Sequence, residues 1–250
     1  MGLFNRNKEA KNQKSKQQVE LERAQKLGAP LVTAESPKAV TSEQFRIIRT
    51  NIRFSGVDKK LQSFMVTSSN MGEGKSTVAA NLAQVFAEDG ERVLIVDADL
   101  RKPTVHRTYD LPNRKGLSTF LANGESLNEN IMYIPQLNIN VLTSGPIPPN
   151  PAELLGSKRM AEAIEELTNH FDTIIYDAPP AISVTDAQIL SSRVDGVILV
   201  VRDRYTQKEA VLKAKEKIEL ANGNILGAVL NNVEVKNDKS YYGYYYGEAE

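Results

Sequence analysis

Six short runs rich in Val, Ile and Leu set the tightest limit on what this chain can fold into. They are residues 64–67, 93–96, 139–143, 173–176, 196–201 and 225–230. A strand with one wet face alternates apolar and polar residues; these runs hardly alternate, which predicts strands buried on both faces of a parallel sheet. The segments between them carry the helical period. In 76–88, Val78, Leu82, Val85 and Phe86 fall on one side, and in 208–220, Val211, Ala214 and Ile218 point inward with lysines outward. Strand–helix alternation from Gln62 to Val235 predicts an α/β fold: a doubly wound, mostly parallel sheet flanked by helices in a three-layer sandwich. A chain of 250 residues with 41% hydrophobic residues suffices for one such domain and its core.

The flanks have a different character. Residues 1–36 are polar and basic, with too few apolar side chains to bury a core, and read as a flexible segment. Their bland role is a solvated tail; their functional role would be docking to acidic headgroups or an acidic partner. Order is expected from Pro37, with a capping box at Thr41 and Gln44 and a helix carrying Phe45, Ile48 and Ile52 at helical spacing. Glu43, Arg46, Arg49 and Arg53 occupy its other faces, where their partners are either solvent or a carboxylate of a neighbouring subunit. The domain spans 37–235. Residues 236–250 form a flexible tail with Tyr241, Tyr242, Tyr244, Tyr245 and Tyr246, five of the chain's nine tyrosines, broken by glycines and closed by Glu248 and Glu250. A core would not place its aromatics there; hydroxyls offered to chemistry would.

The run after the first strand, Ser68 to Thr77, has the strand–loop–helix setting of a phosphate-binding loop. Backbone N–H groups and the positive end of a helix wrap phosphates. The nucleotide-binding candidates are Ser69, Asn70, Met71, Gly72, Glu73, Gly74, Lys75, Ser76 and Thr77, with Lys75 reaching the β- and γ-phosphates and Ser76 ligating Mg²⁺. The first glycine of the usual G-x-x-x-x-G-K-S/T pattern is Ser69 here, but Gly72, Gly74 and the helix start lie where the physics needs them. The second strand ends in Asp97-Ala98-Asp99-Leu100-Arg101. Two aspartates two residues apart in an extended chain point to one side, so one can hold the metal's shell while the other takes a proton. Asp177, ending the strand 173–176, is placed to orient a metal-bound water, which gives Ser76, Asp97 and Asp177 as the metal set and Lys75, Asp97 and Asp99 as the catalytic set.

Composition removes several competing chemistries. With no cysteine there is no disulfide framework, thiol nucleophile, thiolate zinc site or iron–sulfur cluster, and His106 and His170 lack nearby ligand partners. Lys plus Arg equals Asp plus Glu at 31 each, so no global field draws the chain to nucleic acid or anionic lipid. No run reaches the length of a membrane-spanning helix, and Arg6 spoils the myristoylation pattern opened by Met1-Gly2, so the chain reads as cytoplasmic.

The phosphate loop, a motif of the form hhhDxDxR, another of the form hhhDxxP and the tyrosine cluster together resemble the bacterial tyrosine kinases (BY-kinases) of capsule and exopolysaccharide synthesis. So do Gly145-Pro146-Ile147-Pro148-Pro149-Asn150-Pro151 and Glu43-x-x-Arg46-x-x-Arg49, and the likeness spans about residues 37 to 250. The resemblance implies a P-loop NTPase fold, ATP and Mg²⁺ as cofactors, and autophosphorylation of the tail tyrosines, mainly between subunits of a ring. In that ring Glu43, Arg46 and Arg49 would lie at the interface. It further implies recruitment to the inner face of the membrane by a separate transmembrane activator of the chain-length-regulator type, together with a cognate phosphatase and other protein substrates. Asn231, ending the strand 225–230, is a candidate adenine contact by analogy with related ATPases, or a turn residue. The fold is also similar to the MinD/ParA-type ATPases. There a signature lysine stands where this chain has Asn70, a departure that favours a kinase over an ATPase switch without protein phosphotransfer.

Overall fold

A computed structural model describes residues 27–56, 61–124 and 126–234. In chain order its elements begin with α1 (Val32–Glu35), α2 (Val40–Ser55), β1 (Ser63–Ser68), α3 (Lys75–Ala87), β2 (Val93–Asp97), α4 (Val105–Thr108) and α5 (Leu117–Asn123). They continue with β3 (Ile131–Ile134), β4 (Ile139–Leu142), α6 (Pro151–Gly156), α7 (Lys158–His170), β5 (Thr173–Asp177), α8 (Asp186–Ser191), β6 (Gly196–Arg202), α9 (Lys208–Leu220) and β7 (Ile225–Asn231). The described strands form one sheet in the order β3-β4-β2-β5-β1-β6-β7. All pairings are parallel except that of β3 with β4.

The lack of alternation in the strand sequences has the expected cause. Along β1, Phe64 and Val66 pack into one core while Met65 between them packs into the other, and along β2 Ile95 faces opposite to Leu94 and Val96. One core is closed by α2, α3 and α4, the second by α5 to α9. The central strands β1, β2 and β5 are therefore buried on both faces, whereas β7, last in the sheet order, is half-buried to exposed, against the expectation for 225–230.

Four further expectations need correction. Helix α3 is buried from Val78 to Ala87, not on one side alone, because α1 and α2 lie over its outer face. Helix α2 starts at Val40 behind Ala39, which has no capping side chain; Thr41 and Gln44 are exposed, and the turn is instead tied by the Ser42 hydroxyl donating to the Ser36 carbonyl at 2.7 Å. The packed body begins before Pro37. Thr33 donates its N–H and hydroxyl to the Asn81 carboxamide oxygen, both at 2.9 Å, Asn81 Nδ2 donates back to the Pro30 carbonyl at 2.8 Å, and the Ala29 N–H donates to the Thr108 hydroxyl at 2.8 Å. Residues 29–33 are thus strapped to α3 and α4 by polar bonds, which an apolar count cannot reveal. The short antiparallel edge strand β3 is the fourth difference.

The arginines of α2 find their carboxylates in their own chain. Arg46 bonds Glu43 and Glu88 at 3.2 and 3.1 Å, Arg49 lies 3.8 Å from Asp89 and donates to the Val85 carbonyl, and Arg53 pairs with Asp89 and Glu91. The end of α3 and the turn after it carry these acids alongside α2, so neutralising the arginines requires no second subunit.

Candidate active site

The carboxyl ends of β1, β2 and β5 meet at one edge, where the register sets Asp97 opposite Asp177 and Asp177 opposite Val66. Parallel α/β sheets bind ligands at this edge. The chain leaving β1 turns through a loop that needs glycine twice: Gly72 and Gly74 have φ of 79° and 95°. The loop is held from within by Glu73, which is fully buried. Its carboxylate accepts from the Ser69 N–H at 2.8 Å, the Asn70 N–H at 3.1 Å and the Thr206 hydroxyl at 2.9 Å. From outside, Arg202 donates to the Gly72 carbonyl at 3.1 Å and Asn231 Nδ2 donates to the Glu73 carbonyl at 3.0 Å. Helix α3 opens directly from this loop at Lys75 with no side-chain cap, leaving its first amides for an anion.

Lys75 Nζ lies 3.0 Å from Asp99 and 3.3 Å from Asp177. Burial alone would lower its pKa; Asp177 and Asp99 more than offset that and hold it raised. The Ser76 hydroxyl is 3.2 Å from that of Thr104. Asp177 is fully buried, and its Oδ2 has no partner among the described residues. Burial pushes the Asp177 carboxyl up, opposed by the Lys75 charge and the Ser76 hydroxyl. Asp97 is pushed well above the usual carboxylate range, first by burial and then by Asp177 and Asp99.

The two aspartates at the end of β2 divide their labour, but not through the extended geometry expected for them. The chain turns after Asp97, whose Oδ2 accepts from the Thr104 and Val105 N–H groups at 3.1 and 3.0 Å and whose Oδ1 accepts from the Asp99 N–H at 3.3 Å. Asp97 therefore folds the loop, and Asp99 meets the lysine. Arg101 holds the same loop from the other side through a two-pronged pair with the buried Asp186 at 2.8 and 2.9 Å. Of the expected residues, Ser76, Asp97, Asp99 and Asp177 converge on Lys75. Met71 stands exposed at the loop tip, and the side-chain amide of Asn231 is engaged by the loop backbone. Thr104, Thr206 and Asp186 were not legible as site residues, because nothing in their spacing marks them. Tyr241, Tyr242, Tyr244, Tyr245 and Tyr246 lie outside the described residues. Among the described residues no helix is long and apolar enough to cross a membrane.

Fold and loop together define a P-loop nucleotide-binding protein. Residues 62–225 match the family model described as AAA domain. Over 223 residues the chain is 46% identical to "Tyrosine-protein kinase YwqD" of Bacillus subtilis (strain 168), covering 89% of this chain and 94% of that one. The crystal structure of the chimerical protein CapA2B2 superposes with a TM-score of 0.78 at 42% identity, covering 85% of this chain and 98% of that one. A cobyrinic acid a,c-diamide synthase from Mycobacterium smegmatis, with bound ATP analogue and magnesium, shares the fold at 18% identity and a TM-score of 0.60, over 68% and 72% of the two chains. The chain belongs to the bacterial tyrosine kinases, and its enzyme class is that of a protein-tyrosine kinase.

Proposed function

We propose that the protein transfers the γ-phosphoryl group of Mg·ATP to the tyrosines of residues 241–246, mainly from one copy to the tail of another, and so regulates capsule or exopolysaccharide synthesis. The observation that carries this reading is Lys75 suspended between Asp99 and Asp177 at the mouth of a glycine-turned loop. The residues suit the cofactors: the amides opening α3 and the Lys75 ammonium match phosphate. The Ser76 hydroxyl and the unpartnered Asp177 Oδ2 are hard oxygen donors of the kind Mg²⁺ takes. Bound Mg²⁺ would supply neutralisation of the charge that develops on the transferring phosphoryl group.

The protein's own part follows from the lysine. Without nucleotide, Lys75 neutralises Asp99 and Asp177. When it swings to the phosphates, the Asp99 carboxylate is released from its ammonium partner and is free to accept the phenol proton. The tyrosine oxygen then bonds to the γ-phosphorus, the bond to the ADP oxygen breaks, and the proton passes to Asp99. Asp97, with both oxygens on backbone N–H groups, is better placed to hold the loop and the edge of the metal's shell than to act as base. Asn231 would border the adenine while its amide steadies Glu73. Glu43, Arg46 and Arg49 would lie at the ring interface with their intrachain pairs intact, and a transmembrane activator would hold the enzyme at the inner membrane face.

Transfer between copies is tested by mixing two defective chains with labelled Mg·ATP. Lys75→Met keeps the tail but cannot transfer; a chain ending at Ser240 can transfer but offers no acceptor. Label on the Lys75→Met chain supports the reading. ADP formation with no labelled protein points instead to an ATPase switch.

A further inference from the structure

The segment joining β2 to α5 carries a local excess of positive charge in a chain whose formal charges cancel. Between residues 101 and 116 it carries Arg101, Lys102, Arg107, Arg114 and Lys115 against a single acid, Asp110. Arg101 is neutralised by Asp186. Lys102, Arg107 and Arg114 are exposed, and among the described residues none of them pairs with a carboxylate.

Their placement ties this excess to the transfer site. The Lys102 N–H donates to Asp99 Oδ1 at 3.0 Å, and its ammonium rests 3.3 Å from the sulfur of Met71 at the tip of the phosphate loop. That ammonium thus lies between the loop and the proposed base, held by a thioether rather than an anion. Arg107 belongs to α4, whose opening amides hold Asp97. Arg114 follows Asn113, whose carboxamide clamps Ser144 and Gly145 just beyond β4, at the same edge of the sheet. Three cations with no carboxylate partner among the described residues thus lie on the segment that leaves the carboxyl end of β2, with Lys102 at the phosphate loop itself.

We infer that this segment selects the acceptor: the substrate class is a tyrosine flanked by carboxylates, bound with its anionic flanks on Lys102, Arg107 and Arg114. The inference rests on the kinase reading and deepens it. The tail of a second copy suits this surface on its C-terminal side, where Glu248 and Glu250 follow Tyr246, whereas Lys239 precedes Tyr241 on the other side. An exposed ion pair contributes about two- to fivefold in binding, so three together give roughly a tenfold preference or more.

Fluorescence anisotropy of labelled tyrosine peptides with Glu, Gln or Lys flanks tests this on the intact protein. The Glu peptide should bind at least about tenfold tighter than the Gln peptide, and the preference should shrink as salt shortens the screening length. Lys102→Glu with Arg114→Glu should abolish it and favour the Lys peptide, with the melting temperature unchanged because both side chains are exposed. Lys208→Glu with Lys213→Glu, an equal charge change at two exposed positions of α9, should leave the preference intact. Equal binding of all three peptides, or a preference that survives the double reversal, overturns the inference. Phosphoryl transfer to the same peptides is read separately: selective binding without transfer to any of them would sink the kinase reading and not this one.

Discussion

Replacing Glu73 tests whether the loop is organised from inside. Its carboxylate accepts from the buried Ser69 N–H and from two half-buried donors, the Asn70 N–H and the Thr206 hydroxyl. Glu73→Ala orphans all three. A buried donor left unsatisfied costs about 1–3 kcal/mol, and half-buried donors recover part of theirs from water, so the loss should reach about 3 kcal/mol. In a domain of this size that corresponds to a fall of roughly 6–12 °C in melting temperature. Glu73→Gln keeps an oxygen for both amides and a group that can meet the rotatable hydroxyl, so it should lose only about 1 kcal/mol. Calorimetric melting of the three proteins, paired with titration of nucleotide, reads both effects. The Ala variant should also bind nucleotide more weakly, since the amides of Ser69 and Asn70 set the loop's curvature. If Ala and Gln variants melt together, within about 2 °C of the parent, the carboxylate does not hold the loop and the reasoning fails.

Other outcomes follow from the same geometry. Asp97 and Asp177 titrate above their ordinary value in the folded protein, so the folded state holds protons that the unfolded state releases. The nucleotide-free protein should therefore lose stability as pH rises from about 4 through these raised values, and Lys75→Met should steepen the fall; melting temperatures that rise over this range would contradict the assignment. Gly74→Ala forces a side chain into a left-handed backbone, at a cost of about 1–2 kcal/mol, and against the Asn231 carboxamide. Titration should show nucleotide affinity down about five- to thirtyfold, the range to which 1–2 kcal/mol corresponds, and unchanged affinity would contradict this reading. Asn81→Ala removes the acceptor for both Thr33 donors and should cost about 2–3 kcal/mol. Hydrogen exchange over residues 29–36 should quicken, and unchanged exchange would mean that the strap is held elsewhere.

What the sequence made legible was what local pattern controls. Two-sided burial leaves its mark in the unbroken apolar runs Phe64–Val66, Val93–Val96 and Ile174–Tyr176 of β1, β2 and β5, and the loop declares itself through Gly72, Gly74 and Lys75 because backbone geometry and phosphate chemistry tolerate few alternatives. What stayed hidden depended on partners distant in sequence. Asn81 inside α3 receives Thr33 from 48 residues away, and Thr206 reaches Glu73 across 133 residues. The acids that neutralise the arginines of α2 lie beyond a strand and a helix, so a neighbouring subunit was an equally valid expectation from sequence. Asp97 and Asp99 were paired by strand geometry, but β2 ends at Asp97, and the turn that follows sends one carboxylate to the backbone and the other to Lys75.

The central claim is that Mg·ATP phosphorylates the tail tyrosines through the site at Lys75. Intact-protein mass spectrometry after incubation with Mg·ATP, in the presence of the cytosolic segment of the proposed transmembrane activator, tests it most directly. The account predicts mass gains in steps of one phosphate, absent both in Lys75→Met and in a chain ending at Ser240. An unmodified intact chain, or gains that persist without residues 241–250, would contradict it.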